Sequence, residues 1–494
     1  MSKRSKSKRM TRWIAGGAGV LAAAAVTNAL CADTSDPLLS ALIKKGILTE
    51  QEANDIKAES QTNVMASSAS KWKLSNSIKE IGLFGDVRFR YEYRGVDNFP
   101  GASPSTYYRE RFRYAFRAGI RGDLFDDFNY GVRLETSANP RSPWVTFGDD
   151  SSPTPSAKTS DGIAIGQIFL GWHPASWYEM TVGKMPQPLY TTPMVWDSDI
   201  NPEGAYEKFK ATVGNADLFA AFGQFVYQDQ NPDRAIPSSD TWLLSFQLGG
   251  TYHIDKDSSF KIAPVLYTYA GRGVPSGGSG FSQLSVPFVG QGSGGTNLNT
   301  VAFNQNGIND LLVLEVPAEY NLKLGAYHAR VFGDFAYNFE GDNRARAAFN
   351  AGFPKGEFPG FAANQPPTGE NMAYQVGFGF GNEGPVYGPT QGLVYGSTSK
   401  KRTWEARVYW QHVEQYALDV NLMDSDFFEG RANLEGIYAA FAYSFTDAII
   451  GTVRYGYASR INSMLGTGGN NLDLPALNPI NNYNLVQLDL TWRF

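Results

Sequence analysis

Residues 486–494 read VQLDLTWRF. Val486, Leu488, Leu490, Trp492 and Phe494 face one way and Gln487, Asp489, Thr491 and Arg493 the other, a period of two that belongs to a strand. The same period returns upstream. Val87, Phe89, Tyr91 and Tyr93 alternate with Arg88, Arg90, Glu92 and Arg94. Phe112, Tyr114, Phe116, Ala118 and Ile120 alternate with Arg111, Arg113, Arg117, Gly119 and Arg121. A soluble sandwich also has one apolar and one wet face, but rarely strands this long rimmed by so many tyrosines. A transmembrane barrel requires the alternation, with lipid outside and polar groups within. Hydrocarbon offers no partner to a backbone amide, so only helices or closed sheets span it.

Composition excludes the helical solution. The longest apolar run, Ile14–Val26, has 13 residues, and a spanning helix needs ~20. Mean hydropathy is −0.31. Aromatic residues make up 14% of the 494-residue chain and charged residues 18%, the latter below the ~25% of soluble domains. The expected fold is all-β: an antiparallel transmembrane barrel of about sixteen strands, preceded by a short helical hairpin. The strands are predicted near 81–95, 108–122, 128–139, 161–173, 178–187, 204–213, 217–228, 241–254, 259–271, 309–323, 326–340, 372–381, 403–418, 431–446, 448–461 and 482–494. Their connections alternate short (Asp123–Asp127, Pro174–Trp177, Asp255–Ser258, Gly325, Asp447) and long (140–160, 188–203, 272–308, 341–371, 462–481), as turns and outer loops of such barrels do. Residues 382–402 break the alternation: a long connection stands where a turn belongs, which makes eighteen strands the competing count.

Residues 1–32 read as a secretory leader. Lys3, Arg4, Lys6, Lys8, Arg9 and Arg12 precede the apolar run, and Ala32 suits cleavage. The sole cysteine, Cys31, leaves with it, so no disulfide or thiol chemistry is expected. Losing those six positive charges takes the net charge from −5 to −11, which disfavours nucleic acid as a partner. Residues 33–80 form a periplasmic helical hairpin and linker: Asp36-Pro37 opens one helix, Gly46 ends it, and Thr49 with Glu52 forms a capping box for a second. The hairpin reads equally as an oligomerisation or docking element and as a small cap without a partner. Residues 81–494 are the barrel.

Catalysis has little to work with. His173, His253, His328 and His412 lie in or beside different strands, none with a metal-ligand partner at short spacing, so no catalytic, metal or cofactor residue is assigned. Asp424-Ser425-Asp426 lacks the glycine and terminal glutamate of a calcium loop and reads as a solvated surface loop. The informative cluster is basic. Arg88, Arg90, Arg109, Arg111, Arg113, Arg117 and Arg133, with Arg94 and Arg121, lie on or beside the first three strands, mostly with the parity opposite the apolar face, hence inward. One reading makes them a positive, pore-lining stripe; the other has acidic loops neutralise them, so that they merely fill the lumen.

The leader, the hairpin DPLLSALIKKGILTEQEANDIKAE (36–59), WDSDINPEGAYEKF (196–209), DSDFFEGRANLEG (424–436) and the terminal LDLTWRF (488–494) together resemble the bacterial, Gram-negative outer-membrane family of "putative porins". The resemblance implies a water-filled channel for passive diffusion of small hydrophilic solutes or ions, set in outer-membrane lipid, and no enzyme. In general porins the loop after the fifth strand folds inward. By that resemblance 188–203, with Asp197, Asp199 and Glu203, is the constriction loop, its carboxylates facing the arginines. Such an arrangement orders water and selects solutes by dipole and charge. Weak anion preference or near-neutral selectivity is then expected at the constriction. Phe494 and Trp492 resemble the signal read by the barrel-assembly machinery, and sixteen-strand porins supply the analogy for a homotrimer. The competing function is a structural or adhesive barrel, its lumen plugged by loops and its hairpin a periplasmic tether.

Overall fold

Alternating strands with lipid-facing apolar rows need a partner on both edges, and here the last strand supplies it to the first. In the computed structural model of the chain, Asp86 to Asn98 of the first strand pairs antiparallel with Ile480 to Arg493 of the last, closing the sheet. The structure describes residues 45, 77–98, 106–136, 142–148, 162–228, 241–271, 289–290, 302–303, 310–352, 369–382, 400–463, 465–467 and 480–494. The chain divides into Met1–Ser70 and Lys71–Phe494. The predicted leader and hairpin fall in the first unit, outside the described residues except Lys45.

The barrel has sixteen strands. They are β1 (Gly82–Asn98), β2 (Thr106–Asp123), β3 (Phe128–Thr136), β4 (Ile163–Ala175), β5 (Tyr178–Lys184), β6 (Glu203–Val213), β7 (Ala216–Gln228) and β8 (Thr241–His253). Then come β9 (Ser258–Ile262 with Val265–Gly271), β10 (Leu312–Glu315 with Ala318–Leu324), β11 (Tyr327–Asn338) and β12 (Met372–Gly381). The last four are β13 (Trp404–Val413), β14 (Leu434–Ser444), β15 (Ile449–Arg460) and β16 (Ile480–Arg493). Every neighbour in sequence is a neighbour in the sheet. Pro264 and Pro317 interrupt β9 and β10, since proline has no N–H for the ladder. A two-residue strand, Val145–Thr146, returns onto β2 at Arg113 and Tyr114, and the one α-helix among the described residues, α1 (Gly341–Gly352), lies between β11 and β12.

Sixteen is thus the count, and each predicted strand has its counterpart. The competing eighteen fails because β12 pairs directly with β13 along its length, which leaves no place in the wall for strands from the 382–403 connection. The predicted strand 403–418 overshoots: β13 stops at Val413, and the chain beyond it turns away from the wall.

Outward rows carry Leu83, Phe89, Phe112, Ile168, Leu170, Phe246, Val376, Phe441, Leu488, Leu490 and Trp492, all exposed large apolar side chains. On a soluble protein so large a patch would be a liability; on a barrel it meets acyl chains. The inward rows differ around the circumference. β1–β3 carry a dense row of arginines, and single buried arginines stand on β11 (Arg330), β13 (Arg407) and β15 (Arg454). From β6 round to β14 the interior instead presents Tyr206, Phe225, Leu243, Tyr267, Val313, Phe332, Tyr409 and Tyr438, all buried.

Candidate functional site: a cavity between two inward loops and an arginine wall

Those inward apolar residues are buried because two connections fold into the barrel. The first, 185–202, follows β5 and brings Met185, Leu189, Met194, Val195 and Trp196 into one apolar cluster with Tyr206, Phe225, Leu243 and Tyr267. Its ends are held by polar wall residues. Gln247 accepts the Tyr190 N–H (3.0 Å) and donates to the Tyr190 carbonyl (2.8 Å). The same amide donates to the Ala263 carbonyl (3.0 Å) beside the Pro264 break. Thr191 donates to Glu315 (2.6 Å), and Thr192 donates to Asp334.

The second connection, 414–433, follows β13 and packs Leu418, Val420, Leu422, Met423, Phe427 and Phe428 against Phe332, Tyr409, Tyr438, Tyr483 and Leu485. Its tip is tightly wound. Phe428 and Glu429 sit at φ +67° and +56°, followed by Gly430 at +63°. Left-handed backbone is costly for side-chain-bearing residues and persists where surroundings enforce it. Here Arg94 and Arg431 enforce it, reaching Glu429 at 3.4 and 3.1 Å.

The two loops are joined to each other. Asp197 donates its backbone N–H to the Leu422 carbonyl (2.6 Å), and Asp424 donates its own to the Pro193 carbonyl (3.0 Å). Asp197 Oδ2 accepts from the backbone (3.1 Å) and hydroxyl (3.0 Å) of Ser425. The Asp-Ser-Asp triplet 424–426 is therefore no solvated surface loop, as its composition suggested. It is half-buried inside the barrel, at the seam between two loops.

Against this seam stands the arginine wall. Arg90 makes a two-pronged bond to Asp489 on β16 (2.8 and 3.0 Å) and reaches Asp426 at 2.7 Å. Its guanidinium lies over the Trp144 ring, 4.0 Å from the centroid. Glu92, fully buried, receives Arg94 (3.1 Å), Arg111 (2.6 Å) and Gln487 (2.9 Å), with Arg113 at 3.6 Å. Arg117 bridges Asp86 (2.9 Å) and Asp199 (3.4 Å). Arg88 binds Asp86 (2.7 Å) and Arg133 binds Glu135 (2.8 Å). Arg109 continues the row toward the long-loop end of β2, half-buried. The row is thus heavily interleaved with carboxylates. Glu203 is apart from the seam: it opens β6, exposed, 3.1 Å from Lys184.

Between seam and wall remains a cavity of about 50 Å³. Arg88, Arg90, Arg454 and Arg493 line one side, and Asp197, Asp199, Asp424 and Asp426 the other. The loop carboxylates are unevenly perturbed. Burial and then neighbouring Asp424 push Asp197 well above the usual carboxylate range. Burial, and then Asp426, push Asp424 up to about 7. Burial also acts on Asp426, but Arg90, Arg454 and Arg94 more than offset it and hold the group at about 2. Sequence reading missed Trp144, Asp424, Asp426, Arg454 and Asp489. Asp489 was within reach: it lies on the polar row of the terminal strand, and closure places it directly across from Arg90.

Residues 43–323 match the model of the family described as "Putative porin". The chain belongs to this family. No curated protein matches it. Among solved structures, two variants of Rhodopseudomonas blastica porin align with this porin-family chain at 11% identity. They cover 84% of it and 100% of their own chains, with TM-scores of 0.37 and 0.36. A structure described as "Asymmetric conductivity of engineered proteins" aligns at 11% identity over the same shares, TM-score 0.36.

Proposed function

We propose that the chain is an outer-membrane porin, a non-enzymatic channel whose solutes cross through the polar corridor between the two loops and the arginine wall. The observation that carries this is the division of the interior. Apolar packing fills most of the β6–β14 side, with the buried charges Glu315, Glu319, Arg330, Asp334 and Arg407 set into it, and charged groups line the space left beside β1, β15 and β16. A barrel built only to be plugged has no need of opposed guanidiniums and carboxylates along a water-accessible gap, because buried ions are costly to maintain. Arg88, Arg90, Arg117 and Arg133 with Asp197 and Asp199 are the proposed pore-lining groups. Arg111 and Arg113 sit behind them around Glu92.

The leader supports export to the outer membrane, residues 33–80 support a periplasmic appendage, and the terminal aromatics support recognition by the assembly machinery. A homotrimer is the assembly to be expected by analogy alone. The test is single-channel recording in planar bilayers. A small, stable conductance is expected, since the corridor is narrow; small ions should pass and bulky sugars should not. The narrowness itself favours a second reading, a structural barrel plugged by its own loops, and complete absence of conductance by correctly assembled protein would establish that instead.

A further inference from the structure

The inner wall has a second hollow, away from the seam. A pocket of about 610 Å³ lies against β3–β6 and shares no lining residue with the cavity at the arginine wall. Its rim is at the short-turn end of the barrel, where Asp123 and Ser176 line it. Its inner end is Met185–Pro188, where the loop 185–202 leaves β5. Between the two runs one register row across four neighbouring strands: Asn129 pairs with Gly171, Gly171 with Thr181, and Thr181 with Tyr206. Gly171 makes part of the room. A Cβ there would come within 2.2 Å of the Asn129 side-chain oxygen, and the next nearest atoms belong to the same side chain. The volume falls within the ~300–1,000 Å³ of small-molecule sites.

Two donors on this pocket are unpaired. Tyr206 is 3% exposed, and its hydroxyl has no hydrogen-bond partner among the described residues; nor has the amide nitrogen of Gln187. The Gln187 amide is fixed at its other end, where Oε1 accepts the Leu189 N–H at 3.0 Å, so Nε2 is the atom left over. Buried polar groups are nearly always paired. Two unpaired donors on the wall of one pocket therefore ask for acceptor oxygens from outside the chain. The charges around the pocket offset one another. Glu179 is flanked by Lys210 and Lys208, and Asp123 at the rim balances the second lysine. Phe169 and Met185 add apolar surface.

We propose that this pocket is a binding site for a neutral, hydroxylated solute of mono- or disaccharide size, entering from the short-turn end. Its oxygens accept from Tyr206 and Gln187, its C–H groups lie against Phe169 and Met185, and the balanced charges favour neither an anion nor a cation. The proposal goes beyond the porin reading and does not depend on it. The pocket is separate from the cavity at the arginine wall, so a solute held there rests against the base of the first inward loop without passing the seam.

The experiment is calorimetric titration of the full-length barrel in a zwitterionic detergent whose head group carries no sugar. The probes are glucose and sucrose, with gluconate and glucosamine as hydroxylated but charged counterparts. Glucose or sucrose should bind saturably, with a Kd of ~1 mM, and the charged probes should bind more weakly. Tyr206→Phe removes a hydroxyl that has no partner to lose, so the variant should assemble normally, shown by heat-modifiable migration on gels. It should bind the neutral probe about 3- to 10-fold more weakly, the worth of one hydrogen bond. Gly171→Val should push the Asn129 side chain into the pocket and abolish binding in an assembled barrel. No saturable binding of either neutral sugar overturns the proposal. So does equal affinity for gluconate or glucosamine, or an assembled Tyr206→Phe that binds as wild type does. Planar-bilayer conductance of the same preparation reports on the porin reading separately. Conductance without sugar binding overturns this proposal alone, and sugar binding without conductance overturns the porin reading alone.

Discussion

Replacing Arg90 by glutamine would leave buried Asp489 to Arg454 alone and half-buried Asp426 without its closest guanidinium. Removing one partner of a buried ion pair costs about 3–5 kcal/mol, far more than a change in surface charge. Arg90→Gln should therefore lower the denaturant midpoint of the barrel, by an amount equivalent to about 3 kcal/mol of unfolding free energy, and not merely shift its selectivity. Glu203→Gln, which removes an exposed partner of Lys184, should cost under about 1 kcal/mol. Comparable midpoints for the two variants would mean that the Arg90 network is not intact in the membrane. Gly85 shows a different constraint. A Cβ there would come within 2.4 Å of the Phe494 ring and 2.5 Å of the Arg117 carbonyl, just where Gly85 and Phe494 exchange backbone hydrogen bonds (3.0 and 3.1 Å). Gly85→Val should reduce the yield of assembled, heat-modifiable barrel, as should deletion of Phe494. Unchanged yield in both would separate closure from the terminal ring.

At the scale of elements, the strands were legible because each repeats one rule, apolar outward and polar inward, over ten or so residues. Val486–Phe494 states it without exception. The rule weakens where the interior is itself apolar. Phe332, Tyr409 and Tyr438 face inward, and nothing in a period-of-two reading tells a lumen-facing tyrosine from a lipid-facing one. The loop 414–433 was illegible for the related reason that its partners are remote in sequence: Asp426 meets Arg90 across 336 positions. Asp-Ser-Asp in isolation looks solvated, and only the barrel's closure brings arginines to it. The first loop was placed by resemblance, and the contacts that hold it, Gln247, Glu315 and Asp334, carry no local signature. They do carry a prediction. Thr191→Val with Thr192→Val deletes both hydroxyl donors to the buried carboxylates Glu315 and Asp334; Glu315 keeps the Tyr267 hydroxyl and the Thr192 N–H, and each hydrogen bond lost to a charged group costs about 1–3 kcal/mol. The barrel should still assemble, but its loop should detach, giving larger and noisier single-channel currents than wild type. Currents of wild-type size and quietness would show that apolar packing alone holds the loop.

At the scale of the whole molecule, the barrel needs nothing from the residues before it to satisfy its backbone. β1 pairs with β2 on one side and β16 on the other, so no edge is left for an N-terminal segment to complete. The compact unit that contains the barrel begins at Lys71. The first described contacts upstream of β1 are the Phe125 N–H to the Ser77 carbonyl (3.3 Å) and the bridge Ile78 to Leu124, beside hydrogen bonds from Lys79 and Glu80 to the Asp123 carbonyl. Those few bonds close the turn end between β1 and β2 and belong with the barrel. A protein exported with the leader but lacking residues 33–76 should therefore reach the outer membrane, give a β-type circular dichroism spectrum and show wild-type conductance and reversal potential. Any difference should appear in how the barrel associates with copies of itself or with periplasmic components, measured by native mass or crosslinking. If the truncated chain instead fails to form a barrel in detergent, where no assembly factor is present, the N-terminal segment takes part in folding and the two units are not independent. If it folds in detergent yet fails to assemble in cells, the segment acts on delivery and is read by the export pathway and not by the channel.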